Sequence, residues 1–170
     1  QRADVMATTI TREMGCPISF SHLGQVMAAN MVLDYFTRLA REFTFEDVRP
    51  GMLGPSLVRR EPVGVCAAIL PWNIPQFIIA MKLGAGLAAG CTVVIKPAPE
   101  TPLDTIILAE AIHEAGVPPG VVNIVQAGRE VGEYLVKHPG VDKVSFTGST
   151  AAGRRIASVC GEQLKRVTLE

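Results

Sequence analysis

No GxGxxG loop follows any predicted strand, so the commonest dinucleotide fingerprint is missing. Charge of either sign is not in excess: 16 Lys and Arg stand against 16 Asp and Glu among 170 residues. That balance removes the electrostatic case for nucleic acid or an anionic membrane as partner. Cys16, Cys66, Cys91 and Cys160 include no CxxC pair and no zinc spacing. Each sits among apolar neighbours, which predicts buried thiols in a reducing, cytoplasmic compartment and no metal. Aromatic residues are 5% of the chain, and Trp72 is the single Trp. The opening Gln1-Arg2-Ala3-Asp4 lacks both an initiator Met and the apolar stretch of a signal peptide, so the amino end is expected not to be native. Residues 77–95 form the one long apolar run. Lys82 interrupts it and Gly84, Gly86 and Gly90 punctuate it, which predicts a buried helix followed by a strand and no membrane span.

What is present is alternation. Residues 2–14 read as a helix stopped by Gly15 and Pro17. Leu23, Val26, Met27, Met31, Tyr35, Leu39 and Phe43 recur at spacings of three and four and predict a long amphipathic helix over 21–43. Residues 49–55, with two Pro and two Gly, read as a loop, and 57–60 as a short, edge-type strand. From Pro62 onward strands and helices alternate. Strands are predicted at 63–70, 92–96, 121–126, 143–146 and 166–169. Between them, helices begin after Asn73, at Thr101, near Glu130 and at Ser149 or Thr150. Asn73 and Thr101 are the expected caps, Pro75 and Pro102 fill first turns, and Asp104 suits a helix amino end. The fold class that follows is α/β: a Rossmann-like parallel sheet with helices on both faces, preceded by a helical segment. The boundary falls near residue 60, giving a helical amino-terminal segment with its entering strand (1–60) and part of a nucleotide-binding domain (61–170).

Ligands of open parallel sheets collect at the carboxyl ends of the strands. Asn73, Lys96, Gly128, Gly148, Ser149 and Glu170 all fall just past predicted strands. Each also has a plain structural reading. Lys96 suits a ribose or phosphate, or is a solvated strand end. Phe146-Thr147-Gly148-Ser149-Thr150 offers free N–H groups and a positive helix end to a pyrophosphate, or is an ordinary capped start. Asn73 caps a helix, or donates an amide to a developing oxyanion. Glu170 acts as a general base, or is a solvated carboxylate. Trp72 is expected to pack. His22, His113 and His138 share no motif and take no catalytic role.

Read together, the segments resemble one family. Glu61-Pro62-Val63-Gly64-Val65, Pro71-Trp72-Asn73, Lys96-Pro97-Ala98-Pro99-Glu100-Thr101-Pro102, Glu114-Ala115-Gly116-Val117-Pro118-Pro119-Gly120-Val121-Val122-Asn123, the run 141–150 and Lys165-Arg166-Val167-Thr168-Leu169-Glu170 are similar to the aldehyde dehydrogenases. The match is specific over 61–170 and weaker over the first sixty residues.

The resemblance implies a reaction. A cysteine thiolate attacks the aldehyde, hydride leaves the thiohemiacetal for NAD(P)+, and water hydrolyses the thioester. It assigns Asn73 to the oxyanion and Glu170 to activation of the water or thiol. Lys96 matches the ribose-binding lysine, and Gly148 and Ser149 the pyrophosphate contact. Gly128 and Gly132 match positions beside the adenine. Ile69, Leu70, Pro71 and Trp72 match cofactor-pocket residues, with Ala98 and Pro99 beside the lysine and Phe146 behind the nicotinamide. Many NAD-using members carry Glu where Pro99 stands; a Pro cannot accept the ribose hydrogen bonds and removes a charge that would repel a 2′-phosphate, so the resemblance leans only to NAD and leaves NADP open. The family's nucleophile lies beyond the position of Glu170, and none of the four cysteines matches it. The chain is therefore expected to be a partial one, inactive alone, from an enzyme that is a homodimer or homotetramer. The alternative is a short non-catalytic nucleotide-binding or assembly module.

Overall fold

The computed structural model describes residues 2–170. Helix α1 (Arg2–Met14) ends at Gly15, whose φ of 74° gives the left-handed turn that a Cβ would oppose. After Pro17 a continuous helical rod follows in three parts: α2 (Ile18–Phe20), a π-helical stretch (Ser21–Met27) and α3 (Ala28–Glu42). The sequence predicts this rod from residue 21; it starts three residues earlier. Its predicted apolar stripe is also largely uncovered: Leu23, Met27, Met31, Tyr35 and Phe43 are exposed in this chain. The stripe that does bury is the opposite one. Phe36 packs against α4 (Pro75–Ala88) where Gly84 leaves room, since a Cβ at Gly84 would lie 2.6 Å from Phe36 Cδ2.

Strands β1 (Glu46–Arg49) and β2 (Ser56–Arg59) form an antiparallel pair. The sequence reading anticipates β2 but misses β1, whose Glu-Asp-Val-Arg carries no apolar alternation.

The main sheet has five parallel strands: β3 (Val65–Ile69), β4 (Thr92–Lys96), β5 (Val122–Ile124), β6 (Lys143–Phe146) and β7 (Arg166–Leu169), in the order β5-β4-β3-β6-β7. The chain moves outward from β3 to β5, then returns to the other side of β3, so its direction reverses between β3 and β6. That reversal is the topological switch point at which such sheets bind ligands. Register makes the carboxyl ends flush: Ile69 is level with both Lys96 and Phe146, and Phe146 with Leu169.

Alternation along the strands sorts the core into two layers. Ala67, Ile69, Val144 and Phe146 face α6 (Arg129–Lys137) and α7 (Thr150–Glu162). Ala68, Leu70, Val93 and Ile95 face α4 and α5 (Leu103–Glu114). Both faces of β3 are thus apolar, which is why the sequence shows a near-continuous run there. No helix among the described residues is long and apolar enough to cross a membrane. The four cysteines are free, Cys91 and Cys160 buried, and Cys16 and Cys66 only partly so.

Two predicted caps are displaced. Ile74, not Asn73, occupies the cap position of α4, without a side-chain bond. Pro102, not Thr101, precedes α5. The Glu13 carboxylate does the capping of α5 from the end of α1, accepting from Leu103 N at 2.6 Å and Asp104 N at 3.1 Å. Ser149 caps α7 as expected, its Oγ accepting from Ala152 N at 3.3 Å.

Candidate active site

Two cavities flank the sheet, one at the flush strand ends on the α6/α7 face and one running along the α4 face. On the α6/α7 face a cleft of about 130 Å³ is lined by Ile69, Lys96, Gly132 and Phe146, with Arg129, Glu133 and Arg155 at its polar side. Lys96, the last residue of β4, is 4% exposed. Its Nζ donates to Pro97 O at 2.9 Å. Burial lowers its pKa, and the Glu100 carboxylate partly offsets this. Gly132 lets α6 lie against the lysine stem: a Cβ there would sit 3.3 Å from Lys96 Cδ and 3.4 Å from Cε. Gly128 stands at the cap of α6 with ordinary φ. Glu133 is held down to about 2 by bonds from Lys137 and Arg155. Arg129 has no partner among the described residues.

The start of α7 enters the same face. Gly148 is tight for a local reason: a Cβ would lie 2.6 Å from Phe146 Cζ. Its N–H donates to Glu170 O, and Glu170 N–H donates to Phe146 O, so the 146–149 turn is stitched to the end of β7. The fit to a dinucleotide rests on this arrangement. A cleft at the switch point has a buried cation at one end and, at the other, a capped helix start with free N–H groups.

On the α4 face a larger cavity of about 460 Å³ is lined by Lys82, Ser145, Thr168 and Glu170, among others. Lys82 projects from α4 and is the residue the sequence reading missed. Its Nζ donates to Ser145 Oγ at 2.8 Å and lies 3.2 Å from a Glu170 carboxylate oxygen. The same oxygen accepts from Thr147 Oγ1 at 2.8 Å. The Thr147 bond, chiefly, and the Lys82 charge hold the Glu170 carboxyl below its usual range. Burial pushes the Lys82 ammonium down despite Glu170. Lys82 appears in the sequence only as a charge breaking an apolar run. A Lys there is costly unless paired, and that cost was the available signal.

Asn73 lies on the loop between β3 and α4, exposed, with Trp72 exposed beside it. The expectation that Trp72 packs is not met; half of its surface is open. The Asn73 side chain has no partner among the described residues, and its carbonyl accepts from Gln25 Nε2 at 3.4 Å. Leu70 is buried under the loop, with its N–H bonded to Lys96 O, while Pro71 is partly open. Ala98 is buried behind Lys96, and Pro99 is exposed.

A parallel sheet covered on both faces, with a cleft at its switch point, has the architecture of a nucleotide-binding domain. The aldehyde dehydrogenase family model matches residues 1–170, and the chain belongs to that family. It is 47% identical over 171 residues to the geranial dehydrogenase of Castellaniella defragrans, covering 100% of this chain and 36% of that protein. A Mycobacterium tuberculosis aldehyde dehydrogenase complexed with NAD+ superposes with a TM-score of 0.96 at 41% identity, over 99% of this chain and 35% of that one. An E. coli NADP dependent enzyme superposes with a TM-score of 0.93 at 40% identity, over 99% and 35%. The chain spans about a third of the length of these relatives.

Proposed function

We propose that this chain is the front part of an NAD(P)-dependent aldehyde dehydrogenase. In that enzyme it holds the dinucleotide and supplies two groups for oxidation of an aldehyde to a carboxylic acid. The observation that carries the reading is the flush register of Ile69, Lys96 and Phe146, which brings Lys96 and the start of α7 to one edge of the sheet. Residues 1–60 then form the helical approach and 61–170 part of the cofactor-binding domain.

Lys96 takes the ribose, Gly148 and Ser149 the pyrophosphate at the head of α7, and Gly128 and Gly132 the adenine side. Ile69, Leu70, Pro71, Trp72, Ala98 and Pro99 wall the pocket, and Phe146 backs the nicotinamide. When bound, the nicotinamide accepts a hydride. Asn73 offers its free amide to the oxyanion that forms when a cysteine thiolate beyond residue 170 attacks the aldehyde. Glu170, kept ionised by Thr147 and Lys82, takes a proton from the hydrolytic water. NAD+ is the cofactor of this reading. NADP+ is admitted because exposed Pro99 sets no carboxylate against a 2′-phosphate and Arg129 lines the cleft unpaired. The neutral charge and four free cysteines fit a cytoplasmic enzyme, and the open stripe of Leu23, Met27, Met31 and Tyr35 fits a homo-oligomer.

The test uses the protein as its gene encodes it. Titration with NAD+ and NADP+ should give saturable binding that Lys96→Ala weakens. Aliphatic and aromatic aldehydes should drive formation of reduced nicotinamide. Absence of binding by either dinucleotide would sink the reading.

A further inference from the structure

The rod from Ile18 to Glu42 is α-helical except over Ser21–Met27, where it is π-helical. A π segment carries an extra residue, is rare, and is frequently found at functional sites. Two neighbouring residues show what this one delivers. At Gly24 a Cβ would lie 2.6 Å from Phe20 Cε2, so a side chain there would have to displace the exposed Phe20 ring that lies over the turn. Gln25 follows, and it is 0% exposed.

A fully buried Gln is uncommon. Both N–H groups of this amide find acceptors: Asn73 O at 3.4 Å and Met14 Sδ at 3.7 Å. Its Oε1 finds no partner among the described residues. Leaving a buried acceptor unpaired is destabilising, and an apolar side chain of the same shape would avoid it. Stability alone therefore does not favour Gln here. What an apolar side chain would lose is the bond to the Asn73 carbonyl. The Asn73 loop has little else to fix it: Ile74 gives α4 no side-chain cap, and the Asn73 amide has no partner among the described residues.

We infer that Gln25 is a positioning residue for the oxyanion donor, its amide delivered by the π turn to pin the Asn73 peptide. The inference rests on the role given to Asn73 above. An oxyanion donor acts only when held at hydrogen-bond distance from the developing charge. A displacement of about 1 Å caused from outside the reacting centre costs roughly a hundredfold in rate, and loosening one long bond should cost less.

The experiment takes the protein as its gene encodes it and replaces Gln25→Met, close in shape but without a donor. Expected are a thermal midpoint equal to or above the parent's, an unchanged Kd for NAD+, and kcat reduced about tenfold. In an Asn73→Ala background the same change should add less than about twofold, because the pinned group is already gone. Gln25→Leu serves with the same expectations if Gln25→Met does not fold. A parental kcat in the single variant, or a full tenfold loss persisting on top of Asn73→Ala, overturns the inference. If Asn73→Ala itself turns over like the parent, the role of Asn73 fails and this inference fails with it.

Discussion

Lys82 and Glu170, 88 residues apart in sequence, meet at 3.2 Å, with the lysine side chain 6% exposed and the glutamate 42%. Burying an ammonium is costly unless it is paired. Here a carboxylate and the Ser145 hydroxyl do the pairing, on the face of the sheet away from the Lys96 cleft. The pairing is also directional: it keeps Glu170 ionised in the position from which it would act as a base.

The Thr147 hydroxyl makes the larger contribution to that ionisation, and Thr147→Val removes it. The Glu170 carboxyl is depressed in the folded protein, so its stabilising contribution is present above the ordinary glutamate range. It fades as pH falls through the lower folded value. In the variant the folded pKa rises. The acid limb of the pH–kcat profile should therefore shift to higher pH, with little change in the melting temperature because the carboxylate is well solvated. An acid limb unmoved by Thr147→Val would mean that Glu170 does not set it.

At Gly132 stability and binding should move in opposite directions. Alanine is preferred over glycine in a helix interior by about 1 kcal/mol, and α6 includes Gly132 without positive φ. The new methyl would press on Lys96 at 3.3–3.4 Å and tilt its stem. Gly132→Ala should melt no lower than the parent while binding NAD+ several-fold more weakly, on the order of 1 kcal/mol. Calorimetric titration beside a thermal melt checks both signs at once.

Much of this geometry was legible because its causes are local. Val93 and Ile95 bury one face of β4 against α4 and α5 in a run that half-buried Val94 completes, and Ser149 announces α7 by capping it. The strand-end positions of Lys96, Phe146 and Glu170 followed from counting alternations. What stayed hidden was made by distant residues. Glu13 caps α5 across 90 residues, so Thr101, the cap that the local sequence predicts, does not serve as one. Lys82 looked like a breaker in an apolar run until Ser145 and Glu170 came to it. The π turn reads as ordinary helix, because the periodicity of Leu23 and Met27 does not register that Gly24 lies under Phe20.

Asp104 gives a pH signature for the fold itself. It is fully buried, and burial, aided by Glu13 and opposed by the Gln76 bond, pushes its carboxyl up to about 7. Gln76 Nε2 donates to Oδ2 at 3.0 Å, while Oδ1 has no partner. The sign follows from linkage. Below the unfolded value, near 3.8, the group is protonated in both states and its contribution to stability is greatest. Between there and about 7 the unfolded chain ionises first, and stability falls; above 7 the loss is complete. Asp104→Asn keeps the acceptor for Gln76 and cannot ionise. Urea melts should find the variant more stable at pH 8, on the order of a few kcal/mol, with the two curves converging toward pH 4. A constant difference across that range would mean that Asp104 is charged in the fold.

Asn73 and Glu170 should be separable in time. The Asn73 amide, exposed and unpartnered, is offered to an oxyanion that exists when the thiolate adds to the aldehyde. Its loss in Asn73→Ala should slow the first appearance of reduced cofactor about a hundredfold or more. Glu170 acts on the water that hydrolyses the thioester, after hydride has left. Glu170→Gln keeps a side chain able to meet Lys82 and Thr147 but cannot take a proton. Stopped-flow traces should therefore show a burst of reduced cofactor in Glu170→Gln followed by slow turnover, and no fast burst in Asn73→Ala. Loss of the burst in Glu170→Gln as well would assign Glu170 to activation of the thiol instead. Parental traces from both variants would return Asn73 to a loop residue and Glu170 to the partner that neutralises Lys82.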